Sequence, residues 1–106
     1  MRDIRFRAWD KQDKEMIQSF LPDWGNINQE RYLLLQFTGL KDKNGKEIYE
    51  GDIIKMVFDD MLFQVIFDDV SHSFCIKSKK KKYKFGRTDN LEIIGNIYEN
   101  PELLRV

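Results

Sequence analysis

The sequence predicts a mainly-β fold: an N-terminal β-hairpin, then a small SH3-like barrel or bent antiparallel sheet, then a short C-terminal helical turn. Two observations carry this. Apolar and charged residues alternate at period two in short runs, and clusters of Gly, Asn and Asp separate the runs at short spacing. A barrel or a strongly bent sheet is the usual way for such strands to limit exposed edges.

Ile4, Phe6 and Ala8 alternate with Arg5 and Arg7, the pattern of a half-buried strand, and Trp9 falls on the arginine face. Asp10-Lys11-Gln12-Asp13-Lys14 is a polar turn and Met16-Ile17 resumes apolar character, so residues 3–19 read as a hairpin. One hairpin does not stand alone in water. Its apolar side needs a cover from its own chain or from a neighbouring copy. Pro22, Asp23, Gly25, Asn26 and Asn28 mark a linker, with Trp24 and Ile27 set among them.

Tyr32-Leu33-Leu34-Leu35-Gln36-Phe37 is a continuous apolar run, read as a strand buried on both faces and closed by Gly39. Asn44-Gly45 suits a type I′ turn, which would return the chain through Glu47-Ile48-Tyr49. Beyond Glu50-Gly51-Asp52, residues 53–58 and 62–67 flank Asp59-Asp60 as another hairpin, and Phe74-Cys75-Ile76 extends it to a meander. A lysine-rich stretch leads to Tyr83-Lys84-Phe85, and residues 91–98 form the last strand, with Gly95 placed for a bulge. Asn100 as a cap, Pro101 at the first helical position and Glu102 in the first turn give a helical turn over residues 100–104.

A chain of 106 residues fits a single domain, 1–106, with residues 1–30 as hairpin and loop and 31–106 as a barrel-like core. Eighteen Lys plus Arg balance eighteen Asp plus Glu, so an anionic partner has to be met by a local patch rather than by a global field. Cys75 is the sole cysteine, which excludes an internal disulfide; with no apolar leader, it points to the cytoplasm. No apolar run reaches the ~18 residues of a membrane span.

Catalytic and metal chemistry find little support. His72 and Cys75 are one of each where a structural zinc needs four ligands, and as a nucleophile and base they lack an orienting third group. Asp59-Asp60 and Asp68-Asp69 stand about 26 Å apart along an extended strand, too far to form one site. With no triad, phosphate loop or ligand set, the expectation is a protein that is not an enzyme, with no cofactor, metal or small-molecule substrate.

Binding is better represented. Residues 77–87 hold seven basic side chains and no acidic one: Lys77, Lys79, Lys80, Lys81, Lys82, Lys84 and Arg87. Tyr83 and Phe85 interleave with them, as aromatics do in proteins that hold single-stranded nucleic acid. Lys77, Lys79, Lys80, Lys81, Lys82, Tyr83, Lys84 and Arg87 are therefore the candidate contact for nucleic acid or an acidic protein; the plainer reading is a solvated hairpin tip. Arg5, Arg7, Trp9 and Trp24 are a candidate protein interface, aromatics with arginine being common anchors. The alternative is that the tryptophans cap the barrel ends.

Three ordered blocks carry a family resemblance. Met1-Arg2-Asp3-Ile4-Arg5-Phe6-Arg7-Ala8-Trp9-Asp10 opens the chain, Gln36-Phe37-Thr38-Gly39-Leu40-Lys41-Asp42-Lys43-Asn44-Gly45-Lys46-Glu47-Ile48-Tyr49-Glu50-Gly51-Asp52-Ile53 is central, and Ile93-Ile94-Gly95-Asn96-Ile97-Tyr98-Glu99-Asn100-Pro101-Glu102-Leu103-Leu104 is C-terminal. Together they resemble the YopX family of bacteriophages and prophages of low-GC Gram-positive bacteria. The resemblance implies a mostly-β, cytoplasmic phage protein and supplies no activity. Gly39, Gly45, Gly51 and Gly95 lie where the chain turns or bulges, and Asp52 is placed to cap a turn. The function expected is that of a phage accessory protein acting by binding, as a homo-oligomer and with a phage or host macromolecule; a nucleic-acid-binding module is the alternative.

Overall fold

The computed structural model describes residues 5–20, 28–58, 60–79 and 81–104, without the side chains of Ser19 and Phe20. Trp24, Asp59 and Lys80 lie outside the described residues. The strands are β1 Phe6–Asp10, β2 Glu15–Phe20, β3 Tyr32–Lys41, β4 Glu47–Tyr49, β5 Asp52–Met56, β6 Leu62–Asp68, β7 Ser73–Lys77, β8 Lys82–Lys84 and β9 Leu91–Asn96, followed by a 3-10 turn at Pro101–Leu104. They form two antiparallel sheets, ordered β2-β1-β3-β4 and β8-β7-β6-β5-β9. The fold is mainly β, as expected. Of the two forms the pattern allowed, a closed barrel or a bent sheet, the five-stranded sheet takes the second and curls into a half-barrel.

β3 pairs directly with β1, placing Leu34 opposite Ala8 and Leu33 opposite Trp9. The N-terminal hairpin thus extends into a sheet of its own chain. β3 departs from the sequence reading in two ways. It is not buried on both faces: Leu35 and Phe37 are buried on one face, where Leu33 near the start of the strand is exposed, and Tyr32, Leu34, Gln36 and Thr38 on the other face are only half-buried. It also continues past Gly39, whose φ of +88° lets the chain pass an irregularity in register without breaking the strand.

The β3–β4 turn is not type I′. Gly45 has φ +79° but Asn44 stays out of the left-handed region. Residues 43–45 instead form a three-residue loop, with the Asp42 N–H donating to Lys46 O (2.8 Å) and Gly45 in the left-handed position that closes it. The Asp42 carboxylate explains the choice, since its Oδ1 accepts from the Asn44 and Lys46 N–H groups, both at 2.9 Å.

The core lies inside the curl. Ile54, Phe63, Val65, Ile76 and Leu91 line it from the five-stranded sheet, and Ile48 enters from β4, with Leu40 of β3 packed beside it. The last strand pairs with β5, Ile53 facing Gly95 and Ile54 facing Ile93, so Ile94 is an extra residue beside Gly95. This is the bulge the sequence placed there. A Cβ on Gly95 would sit 2.5 Å from Asn100 Oδ1, so the turn that follows requires glycine.

Candidate functional site

Two places qualify as sites: the seam between the sheets, where the three sequence blocks meet, and the outer face of the five-stranded sheet, where the lysines stand.

At the seam, the side of β1 that reads as charged lies against aromatic rings. The Arg5 guanidinium covers Phe37 at 4.5 Å and ion-pairs with Glu47; Arg7 covers Tyr49 at 4.9 Å; Trp9 stacks on Tyr98 at 5.6 Å and 27°. A guanidinium is planar and weakly hydrated, so it can lie on a ring with most of its surface removed from water. Arg7 donates through Nη2 to Asp52 Oδ1 at 2.5 Å, and its buried Nε has no hydrogen-bond partner among the described residues. Asp52 is only 1% exposed, and its other oxygen accepts the Tyr49 N–H at 2.7 Å, the turn-capping role read from the sequence. Burial pushes its carboxyl above the usual carboxylate range, against the pull of Arg7 and the Tyr49 amide.

Exposure of Arg7 and Trp9, on which the interface reading rested, is therefore corrected. Both are buried, Trp9 to 8% exposure, because their partners come from β4, β5 and the turn after β9. Arg5 stays partly exposed, and Trp24 lies outside the described residues. Nothing in the charge pattern of residues 5–9 announces rings that lie tens of residues away in the chain. A cleft of about 560 Å³ opens beside the seam; of the charged groups lining it, Arg7 pairs with Asp52 and Glu47 with Arg5, and Glu99 accepts from the Asn96 side-chain amide.

Two further carboxylates tie distant strands together: Asp42, and Asp10, which the sequence placed in a turn. Asp42 caps its own loop and, through Oδ2, accepts the Ile93 N–H of β9 at 3.0 Å, while the Lys43 N–H donates to Leu91 O at 2.9 Å. Burial raises the Asp42 carboxyl, but the three backbone amides outweigh it and hold the group below its ordinary value. Arg31 grips Asp10 with two bonds, Nε to Oδ1 (3.1 Å) and Nη2 to Oδ2 (2.9 Å), locking the β1–β2 turn to the start of β3. The Asp10 carboxyl is lowered to about 2, first by Arg31 and then by the Asp13 and Gln12 amides. Asp10, Asp13 and Glu15 form an acidic cluster, of which Asp10 and Asp13 are already engaged by Arg31.

On the outer face, strand register decides which lysines act together. Gln64 faces Lys77 and Lys77 faces Lys82 across neighbouring strands, and Cys75 faces Lys84, so Lys77, Lys82 and Lys84 project to one side. Tyr83 projects to the other and meets Phe63 edge-on at 5.8 Å, leaving it 43% exposed. Phe85 packs against the core. The aromatics that interleave with lysines in sequence thus separate from them in space. Lys82 lies 3.5 Å from Asp68 and Arg87 2.8 Å from Asp89, whereas Lys77, Lys81 and Lys84 are exposed and make no ion pair among the described residues. Lys79 is exposed in the loop before β8, and Lys80 is outside the described residues.

His72 sits on the exposed β6–β7 turn with φ +54°, and Cys75 is buried with its thiol against Ser73 O at 3.8 Å. Asp60 faces Lys55, while Asp68 bonds Ser71 and lies near Lys82, so the acidic pairs serve separate turns.

A family model described as YopX protein matches residues 20–105. The chain belongs to the YopX family. The match takes in the central and C-terminal blocks and leaves the opening one outside. This YopX chain is similar in structure to protein EF1440 from Enterococcus faecalis, whose crystal structure aligns with TM-score 0.75 and 26% identity over 98% of this chain and 99% of that one. No curated protein matches it. Among the described residues no helix is long and apolar enough to cross a membrane.

Proposed function

We propose that this YopX protein is a non-enzymatic phage accessory that works in the host cytoplasm by binding an acidic protein on the outer face of its five-stranded sheet. The observation that carries the reading is the separation of lysines from aromatics: Lys77, Lys82 and Lys84 share one face, while Tyr83 turns to the core side. A face of point charges without ring platforms suits carboxylates better than stacked bases. Nucleic acid, which would use the same charges, is the competing outcome. Labelled oligoglutamate and labelled oligothymidine, titrated in parallel, decide between them. The acidic peptide should bind the more tightly, with an affinity that falls as salt rises, and replacing Lys77, Lys82 and Lys84 by Ser should abolish it. Tighter binding of oligothymidine refutes the reading.

Self-association is the second reading, and the β5–β6 turn favours it. Phe58 there is 82% exposed, with Val57 and Met61 exposed beside it, an apolar projection of the kind found at interfaces. Light scattering tests it: the mass of one chain at tens of micromolar excludes a stable oligomer.

A further inference from the structure

A groove of about 760 Å³ runs beside the lysine face, walled by Met61, Leu62 and Gln64 on one side, Leu103 and Leu104 of the 3-10 turn on another, and Lys77 at its rim. Gln64 and Lys77 are cross-strand partners, so the groove and the lysines open on the same side of the sheet. We infer that this groove receives apolar side chains of an acidic amphipathic segment of the partner protein, whose carboxylates lie on Lys77 and Lys82. The inference rests on the function proposed above and deepens it.

Charge selects the occupant. Lys77 and Lys82 stand directly opposite each other, an arrangement of like charges that costs stability; Asp68, 3.5 Å from Lys82, offsets part of it, and Lys77, which makes no ion pair among the described residues, is left for an anion from outside. Lysines on an exposed edge strand also deter aggregation, which accounts for Lys82 and Lys84 on β8. It does not account for Lys77, because β7 is flanked by β6 and β8. Among the described residues Asp60 is the acid that lines the groove, and it already faces Lys55 at 3.7 Å, so a second copy would set lysine against lysine. The walls are aliphatic, a surface for Leu, Ile or Met side chains rather than a platform for bases. The lysine stems can extend that apolar floor while their ammonium groups reach for carboxylates.

The test compares two labelled peptides of equal length and charge, one alternating Glu with Leu and one alternating Glu with Ser, by fluorescence anisotropy at about physiological salt. The Leu peptide should bind the full chain about tenfold more tightly, the gain expected from burying a leucine side chain or more. Leu104→Ser should erase that difference while leaving the weaker Glu/Ser affinity in place. Gln64→Glu, a surface change that keeps the groove's shape, should weaken both peptides. Equal affinity of the two peptides overturns the inference and leaves the lysine-face function standing. Failure of both peptides to bind sinks function and inference together. A dimer that Leu104→Ser converts to monomer assigns the groove to a second copy and overturns the inference.

Discussion

Arg7→Met should be among the costlier single changes in this chain, and a second substitution should partly repair it. Removing the guanidinium leaves Asp52, at 1% exposure, with the Tyr49 N–H as its remaining hydrogen-bond donor. An orphaned buried charge of this kind costs about 3–5 kcal/mol, a large part of the 5–15 kcal/mol that holds a typical domain together. Adding Asp52→Asn removes the stranded charge and keeps an oxygen for the Tyr49 amide. Arg7→Met/Asp52→Asn should therefore recover about 2 kcal/mol or more relative to Arg7→Met alone, since a neutral replacement of a buried pair is often tolerated. Urea unfolding followed by tryptophan fluorescence measures both steps, because Trp9 stacks on Tyr98 at the same seam. If Arg7→Met costs under about 1 kcal/mol, or the double variant is no more stable than the single, the seam does not depend on this pair.

Asp42→Ala should cost about 2–4 kcal/mol by urea unfolding, since it strands the Ile93 amide and removes two bonds from the β3–β4 loop. For Asp10, held at about 2 against an ordinary 3.8, the contribution to stability is complete above about pH 4 and is lost as pH falls through about 2. The urea midpoints of the native chain and Asp10→Asn should accordingly differ at neutral pH and converge between those values. Gly51→Ala should destabilise by about 2 kcal/mol or more, because φ there is +91° and the new Cβ would lie 2.8 Å from Tyr98 Cε2; thermal melts give the size. Ile48→Ala, which opens a cavity where β4 enters the curled sheet, should cost about 2–5 kcal/mol in the same assay.

The strands were legible because their signal is local. Phe6, Ala8 and the turn at residues 10–14 specify the first hairpin within a dozen residues, and Leu62 to Phe67 and Phe74 to Ile76 do the same for the meander. What escaped depends on partners far along the chain. Asp42 looks like a turn residue, and is one, but its second oxygen serves an amide 51 residues away. Arg7 alternates with apolar neighbours as a solvent-facing residue would, and only the arrival of Tyr49 and Asp52 makes the inward orientation favourable. The run from Leu33 to Leu35 carries more hydrophobicity than its position buries, so apolar content alone overstated how deeply β3 is covered. The lysine site is a mixed case. Its charges were plain in sequence, whereas the loss of Tyr83 to the core side follows from register on β8, a three-residue strand with weak periodicity of its own.

That division between near and far partners bears on where function lies. A buried side chain whose polar atoms are taken up by its own chain has little capacity left to recognise anything else. Asp52 and Asp42, both within the central block that the family model covers, are spent in this way on joining two sheets, Asp52 with Arg7 of the opening block as its partner. The residues with bonding capacity to spare, Lys77, Lys81 and Lys84, and the apolar wall at Leu62, stand between the central and C-terminal blocks, on strands that the seam holds in place. A family signature can thus describe how a scaffold is closed while saying little about what it carries. Variants of the seam should lose stability first and binding only as a consequence, whereas Lys77→Ser or Gln64→Glu should change binding in a chain that still unfolds at the native urea concentration.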